Sequence, residues 1–254
     1  MRKKFLPFTI AVALVLSLTV SPVVRADSKH TTLVHRSFNK FSKDIESAEE
    51  HSNASVEAKA ISLYEQMDLG KLGLALNAMK YAYKGFENLH RTGALSKNSI
   101  LTICDFSQSS RNKRMYILDL ENKKVLIHTY VAHGKNSGLD YANRFSNTPE
   151  SLQSSLGFYK TKSTYFGKHG LSLRLQGLEP GWNDKAEERA IVLHGAGYIG
   201  DHRIGAPYMG RSFGCPAVPK ELSDEVINLI KDGTCFFIYH PSNRYLHGSR
   251  ILND

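Results

Sequence analysis

The 254-residue sequence contains only three cysteines, so any disulfide pairing leaves at least one thiol over. No two of them are spaced as Cys-x-x-Cys and no His-Glu-x-x-His occurs, which removes the familiar metal signatures. His194, His202 and Cys215 could be drawn together as zinc ligands, but nothing in their spacing asks for it. The Gly-x-Ser-x-Gly elbow of serine hydrolases is missing too. Gly210-Arg211-Ser212-Phe213-Gly214 approaches it without the strand-to-helix setting that the elbow needs. There is no basic block with interleaved aromatics, which argues against a nucleic-acid partner. Internal repeats and low-complexity linkers are also lacking, and beyond residue 26 no apolar run is long enough to span a bilayer.

What is present begins with a leader. Arg2, Lys3 and Lys4 precede an apolar stretch, and Val24-Arg25-Ala26 offers small residues for cleavage, so residues 1–26 read as a secretory signal peptide. A retained anchor is the alternative, disfavoured because the uninterrupted apolar run is short for a span. No cysteine follows the run to take a lipid. The formal charge is +9. Removing the four leader cations leaves about +5, a modest excess that suits an acidic polymer outside the cytoplasm. Cys104 and Cys235 sit in strand-like runs, as buried thiols or as a bridged pair, the former favoured. Cys215 lies instead among Gly, Pro and Ser.

Residues 27–54 are polar with little periodicity. A helix is expected from Ser55, and Leu72, Leu76, Met79, Tyr83 and Phe86 predict one face of a second, ended by Gly93. From Ser99 short β-rich runs take over, with a hairpin expected around residues 121–124. Two small helices are expected among them, at 183–190 with Asn183 or Asp184 as cap, and at 219–233. The expected organisation is a leader over 1–26, a helical segment to 96, a mainly β (α+β) domain over 97–245 and a tail over 246–254.

His194 ends an apolar run and Cys215 follows it across a glycine-rich stretch, with Gly195, Gly197, Gly200, Gly205, Gly210 and Gly214 between them. Glycines let a backbone turn sharply and let a substrate approach. An imidazole beside a thiol can take its proton. Spacing alone leaves the choice open between such a pair and a core histidine near a loop cysteine. Tyr198 and Arg211 are weaker candidates for holding substrate carboxylates, set against plain surface roles. Arg174 alternates with apolar residues, which turns it away from the core and makes it a weak candidate to enter a cleft and touch substrate. His133 and His202 have no assigned role. Ser146-Asn147 and Ser154-Ser155 read as turns that could form a cleft wall.

The stretch from His194 to Pro219, with seventeen residues between His194 and Ser212 and then Ser212-Phe213-Gly214-Cys215, resembles the active-site segment of the L,D-transpeptidases. These are murein cross-linking enzymes with a YkuD-type catalytic domain. Residues from Val131 to Thr161 and from Tyr165 to Tyr198 resemble a divergent branch of the same family. The resemblance implies a YkuD-like β-sandwich and a periplasmic or cell-envelope enzyme acting on peptidoglycan stem peptides, with no cofactor. It implies Cys215 as nucleophile, His194 as general base, the Gly195 carbonyl as the group orienting the imidazole, and the N–H groups of Gly214 and Cys215 as oxyanion hole. Two positions depart from the pattern: Phe213 stands where most members have His, and Pro216 where many have Arg. A transpeptidase, an L,D-carboxypeptidase and a wall-binding module without chemistry remain the alternatives.

Overall fold

The computed structural model describes residues 53–97 and 99–254. The expected leader and the polar lead-in up to residue 52 lie outside them. Two helices come first. In α1, within residues 53–66, Ala60 and Leu63 face inward, and Met67 in the turn that follows joins them. In α2, Leu76–Arg91, the buried face is built from Met79, Ala82, Tyr83, Phe86 and Leu89. Leu72 precedes this helix and Leu76 is exposed at its first position, so the working stripe starts one turn later than the sequence pattern suggests.

Eight strands follow: β1 Ile100–Asp105, β2 Met115–Asp119, β3 Lys124–Thr129, β4 Gly157–Gly167, β5 Gly170–Gly177, β6 Val192–Ala196, β7 Ala217–Pro219 and β8 Cys235–Tyr239. They form one sheet in the order β3-β2-β1-β8-β4-β5-β6-β7. β1 runs parallel to β8 and β6 parallel to β7, and the other neighbours are antiparallel. The sheet curls until its ends meet. Ala132, just past edge strand β3, bridges Ala217 in edge strand β7, and Gly134 bridges Ser212. The protein is therefore mainly β with a few helices, and its two sheet halves are one nearly closed, barrel-like surface. Closure of this kind leaves few open edge groups.

Helix α3, Ser223–Ile230, follows a short 3-10 turn over Lys220–Leu222 and packs beside β5 and β6. Two short helices end the chain, α4 Asn243–Gly248 and α5 Arg250–Asn253. They are tied to the sheet through the buried Glu179. Its carboxylate accepts from the Phe158 N–H at 2.7 Å, from the Tyr245 hydroxyl at 2.8 Å and from the Ser249 hydroxyl. The helix expected at 183–190 is a series of turns instead. Asn183 is not a cap but a fully buried hub. Its amide donates to Leu156 O and Phe158 O, and its oxygen accepts from the Glu179 N–H. Tying its side chain to neighbouring backbone takes it away from helix capping.

α2 meets the sheet through a glycine. A Cβ on Gly85 would stand 2.0 Å from Cζ of Phe158, a ring itself stacked on Phe237 at 4.1 Å. Helix and sheet share one core because this position has no side chain. Gly85→Ala is expected to cost about 1–3 kcal/mol by overpacking, outweighing the gain in helix propensity. Chemical denaturation measures it, and an unchanged midpoint would contradict the close approach.

Candidate active site

The antiparallel pairing of β5 with β6 and the parallel pairing of β6 with β7 set the site. Ser172 lies opposite His194 on one side and Ala217 on the other, and the His194 N–H donates to Pro216 O at 3.4 Å. Cys215, two residues before Ala217, is thereby drawn against the start of β6. Its thiol donates to Ala190 O at 3.7 Å, and its sulfur accepts from the Val192 N–H at 3.5 Å. His194 and Cys215 line one cleft of about 710 Å³.

The His194 side chain is nearly enclosed, with 4% of the residue exposed. Its Nδ1 sits 2.9 Å from the Gly195 carbonyl oxygen. A carbonyl only accepts, so Nδ1 carries the proton and Nε2 is the free acceptor of the neutral ring. His194 is thus tied to Gly195, and Cys215 lines the same cleft.

The turn that presents Cys215 is closed by Ser212. Its hydroxyl donates to Cys215 O and accepts from the Gly214 N–H at 3.1 Å. Gly214 has φ +124, and a Cβ there would come 2.9 Å from Gln153 O, so only glycine fits without strain. The Gly214 N–H, expected from the resemblance to face an oxyanion, is occupied by Ser212 here.

The remaining candidates divide. Tyr198 and Arg211 line the cleft. Arg211 is braced from behind, donating to Lys135 O at 2.8 Å and Gly138 O at 3.1 Å, with its plane over the Tyr208 ring. Arg174 is outside the lining; its guanidinium lies over Tyr165, 4.4 Å from the ring centroid, and Tyr165 is the ring that lines the cleft. His133 is fully buried and accepts from Arg114 at Nδ1, 2.8 Å away. Burial, with the Arg114 charge beside it, pushes His133 down to about 4. His202 is exposed and reaches Gly197 O at 3.0 Å, so it does not join His194 and Cys215. Cys104 and Cys235 are free buried thiols on neighbouring strands. Among the described residues no three His, Cys, Asp or Glu side chains are grouped to hold a metal ion.

Sequence reasoning missed two parts of the site. Arg189 lines the cleft and holds the loop behind it, whose residues Ser146, Ser151, Gln153 and Ser155 do not themselves line it. Its guanidinium donates to Ser146 O at 2.8 Å, Ser151 Oγ at 3.2 Å and Gln153 O at 2.6 Å, and to Ser155 Oγ. One arginine so pins the loop before β4, and a lone Arg in a polar stretch gives no sign of it. The second part is the β4–β5 hairpin tip, where Lys168 and His169 reach the cleft and the His169 ring lies on His194. Two glycines around Lys-His mark a turn in the sequence but not its destination.

These observations define a β-rich domain with an imidazole and a thiol sharing one cleft. The chain belongs to the family described as the L,D-transpeptidase catalytic domain, whose model matches residues 71–239, about two-thirds of its length. Solved structures resembling it include an L,D-transpeptidase from Mycobacterium smegmatis, at 12% identity and a TM-score of 0.35, covering 56% of this chain and 59% of that one. Another is the helical cell shape determining protein Pgp2 from Campylobacter jejuni, a mutant form, at 14% identity and a TM-score of 0.36, covering 63% of this chain and 57% of that one. The chain thus spans less than two-thirds of either protein's length. No curated protein matches the sequence.

Burial raises the Cys215 thiol pKa, against the opposing pull of the Val192 N–H and the charges of Arg189 and Lys168. Burial likewise lowers His194; the Gly195 carbonyl opposes this, while His169 and Lys168 add to it. Both shifts favour the uncharged forms, a thiol rather than a thiolate and an imidazole rather than an imidazolium. Alkylation of Cys215 by iodoacetamide, followed by peptide mass spectrometry, should keep accelerating above the ordinary thiol value of about 8.5. A rate that levels off below pH 8 would indicate a preformed thiolate–imidazolium pair instead.

Proposed function

We propose that the protein is an exported murein L,D-transpeptidase with Cys215 as nucleophile and His194 as general base. The observation that carries this reading is the lock between His194 Nδ1 and the Gly195 carbonyl. It leaves Nε2 as the acceptor of a ring that shares its cleft with the thiol. The family acts on peptidoglycan, and the cleft chemistry suits that polymer. Lys168, Arg189 and Arg211 line the cleft, and among its described lining residues there is no Asp or Glu. Such a lining favours a peptide carrying free carboxylates.

In this reading the Cys215 sulfur attacks the carbonyl of the third, L-centred residue of a stem tetrapeptide while Nε2 takes the thiol proton. The tetrahedral oxyanion meets the Cys215 N–H, and that of Gly214 only after it leaves Ser212 Oγ. Collapse breaks the amide to the terminal D-residue, and the imidazolium gives its proton to the departing amine. An acceptor amine then attacks the thioester, His194 takes its proton, the C–S bond breaks, and the imidazolium returns that proton to the departing sulfur. The same steps with water as acceptor make an L,D-carboxypeptidase. The wall-binding alternative draws its support from Phe213, 65% exposed at the cleft with the Lys135 ammonium 4.6 Å from its ring centroid. Pro216 costs the enzyme reading little, because its carbonyl serves β6.

Residues 1–26 are proposed to be removed on export, which delivers the domain over 97–245 and its helical lead to the cell envelope. No helix among the described residues is long and apolar enough to cross a membrane.

Incubation with purified tetrapeptide muropeptides and mass spectrometry of the products tests the reading. A dimer lacking one D-Ala, absent with Cys215→Ala, is the expected result. Tripeptide alone would assign the carboxypeptidase. Unchanged substrate, identical for both proteins, would leave the binding module.

A further inference from the structure

We propose that His169, at the tip of the β4–β5 hairpin, is a positioning residue for His194: its ring lies flat on the His194 imidazole and fixes the tilt at which that ring faces the cleft. This rests on the reading of Cys215 and His194 as the reacting pair.

The two rings are 4.2 Å apart between centroids and 19° from parallel. The hydrogen bond from Nδ1 to the Gly195 carbonyl fixes one nitrogen but leaves the ring free to rock about that contact. A flat ring against its face removes the rocking, and a reacting nitrogen held in line is worth orders of magnitude in rate. His169 is itself exposed, so one of its faces meets water while the other covers a histidine that is almost fully enclosed.

The hairpin's construction supports the assignment. β8 borders β4 only from Gly157 to Lys160. Beyond the register shift, Thr164 to Gly167 pair with β5 alone among the described strands. This arm extends past the body of the sheet, and Gly170, at φ +81, reverses the chain at its end. Ser172 of β5 is in register with His194, so the hairpin that carries His169 borders the strand of that imidazole, and the two rings stack. Phe166, on the opposite face of the arm from Tyr165, is 83% exposed, so the tip does not sit there to bury its own apolar surface.

The groups facing His194 are few. Lys168 and His169 approach from the hairpin and the Gly195 carbonyl from its own strand; Cys215, Tyr198, Arg189 and Arg211 line the same cleft. Lys168 and His169 both work against the imidazolium, in the same direction as burial. In this reading they favour release of a proton that the ring has taken up.

The test compares wild type, His169→Ala and His169→Phe in the full chain by two readouts. The first is the titration of His194, followed by NMR of the imidazole carbons and assigned with His194→Ala. The second is steady-state turnover of tetrapeptide muropeptides. In His169→Ala the His194 midpoint should rise by about half a pH unit or more, since cover and charge are both lost. Its kcat should fall about tenfold or more with KM little changed. His169→Phe, which keeps a flat ring, should recover most of kcat while the midpoint stays partly raised. An unmoved midpoint in His169→Ala overturns the proposal. So does a moved midpoint with unchanged turnover, or a Phe variant no faster than Ala. Absence of turnover in the wild type would instead refute the enzyme reading, and the proposal with it, whatever the titration showed.

Discussion

The site depends on the parallel pairing of β6 with the three-residue strand β7. Through it, the backbone around His194 takes its register from Pro216 and Ala217, immediately after Cys215. Parallel ladders cannot be closed by a tight turn, so a long connection is obligatory. The glycine-rich stretch between the two strands is that connection, and it frames the cleft on its way. β7 is held from its other side by Ala132, so the curling of the sheet and the placing of His194 and Cys215 on one cleft go together.

Around this pairing, polar side chains do the work of shaping loops that have no regular structure. Arg189 gathers Ser146, Ser151, Gln153 and Ser155 into one loop behind the cleft. Arg114, fully buried, donates to Val131 O and Gln108 O and to the His133 ring, steadying the strip that bridges to Ser212. Burial lowers the Arg114 guanidinium to about 10, which still leaves it charged near neutrality. Removing such a group would strand several carbonyls without donors, a cost larger than the loss of any one bond.

Much of this was legible from residue order. The change to β-rich sequence at Ser99 and the hairpin near 121–124 follow from composition and turn chemistry, and β1 begins at Ile100 while β2 ends at Asp119 and β3 begins at Lys124. The strand β7 was not legible, because Ala-Val-Pro has no length to show a period. Nor was the run of turns at 183–190, whose composition suits a helix; Asn183 is drawn inward by three backbone partners that lie far away in sequence or across a turn. At the site, the resemblance pointed to Cys215, His194 and Gly195, while Arg189 and His169 escaped because their meaning comes wholly from tertiary placement. Arg174 shows the reverse case: alternation correctly turns it outward, yet a tyrosine stands between it and the cleft.

The three thiols also differ in a way that bears on chemical damage. Cys104 and Cys235 are sealed in the core, and in their parallel register Cys104 lies opposite Ile238 rather than Cys235. Burial holds both far above the ordinary thiol range. An oxidant entering the cleft therefore finds Cys215 alone, and a sulfenic acid formed there has no resolving cysteine within the described residues. With no internal disulfide to trap the first oxidation step, recovery falls to an external thiol before the sulfur advances to the irreversible acids.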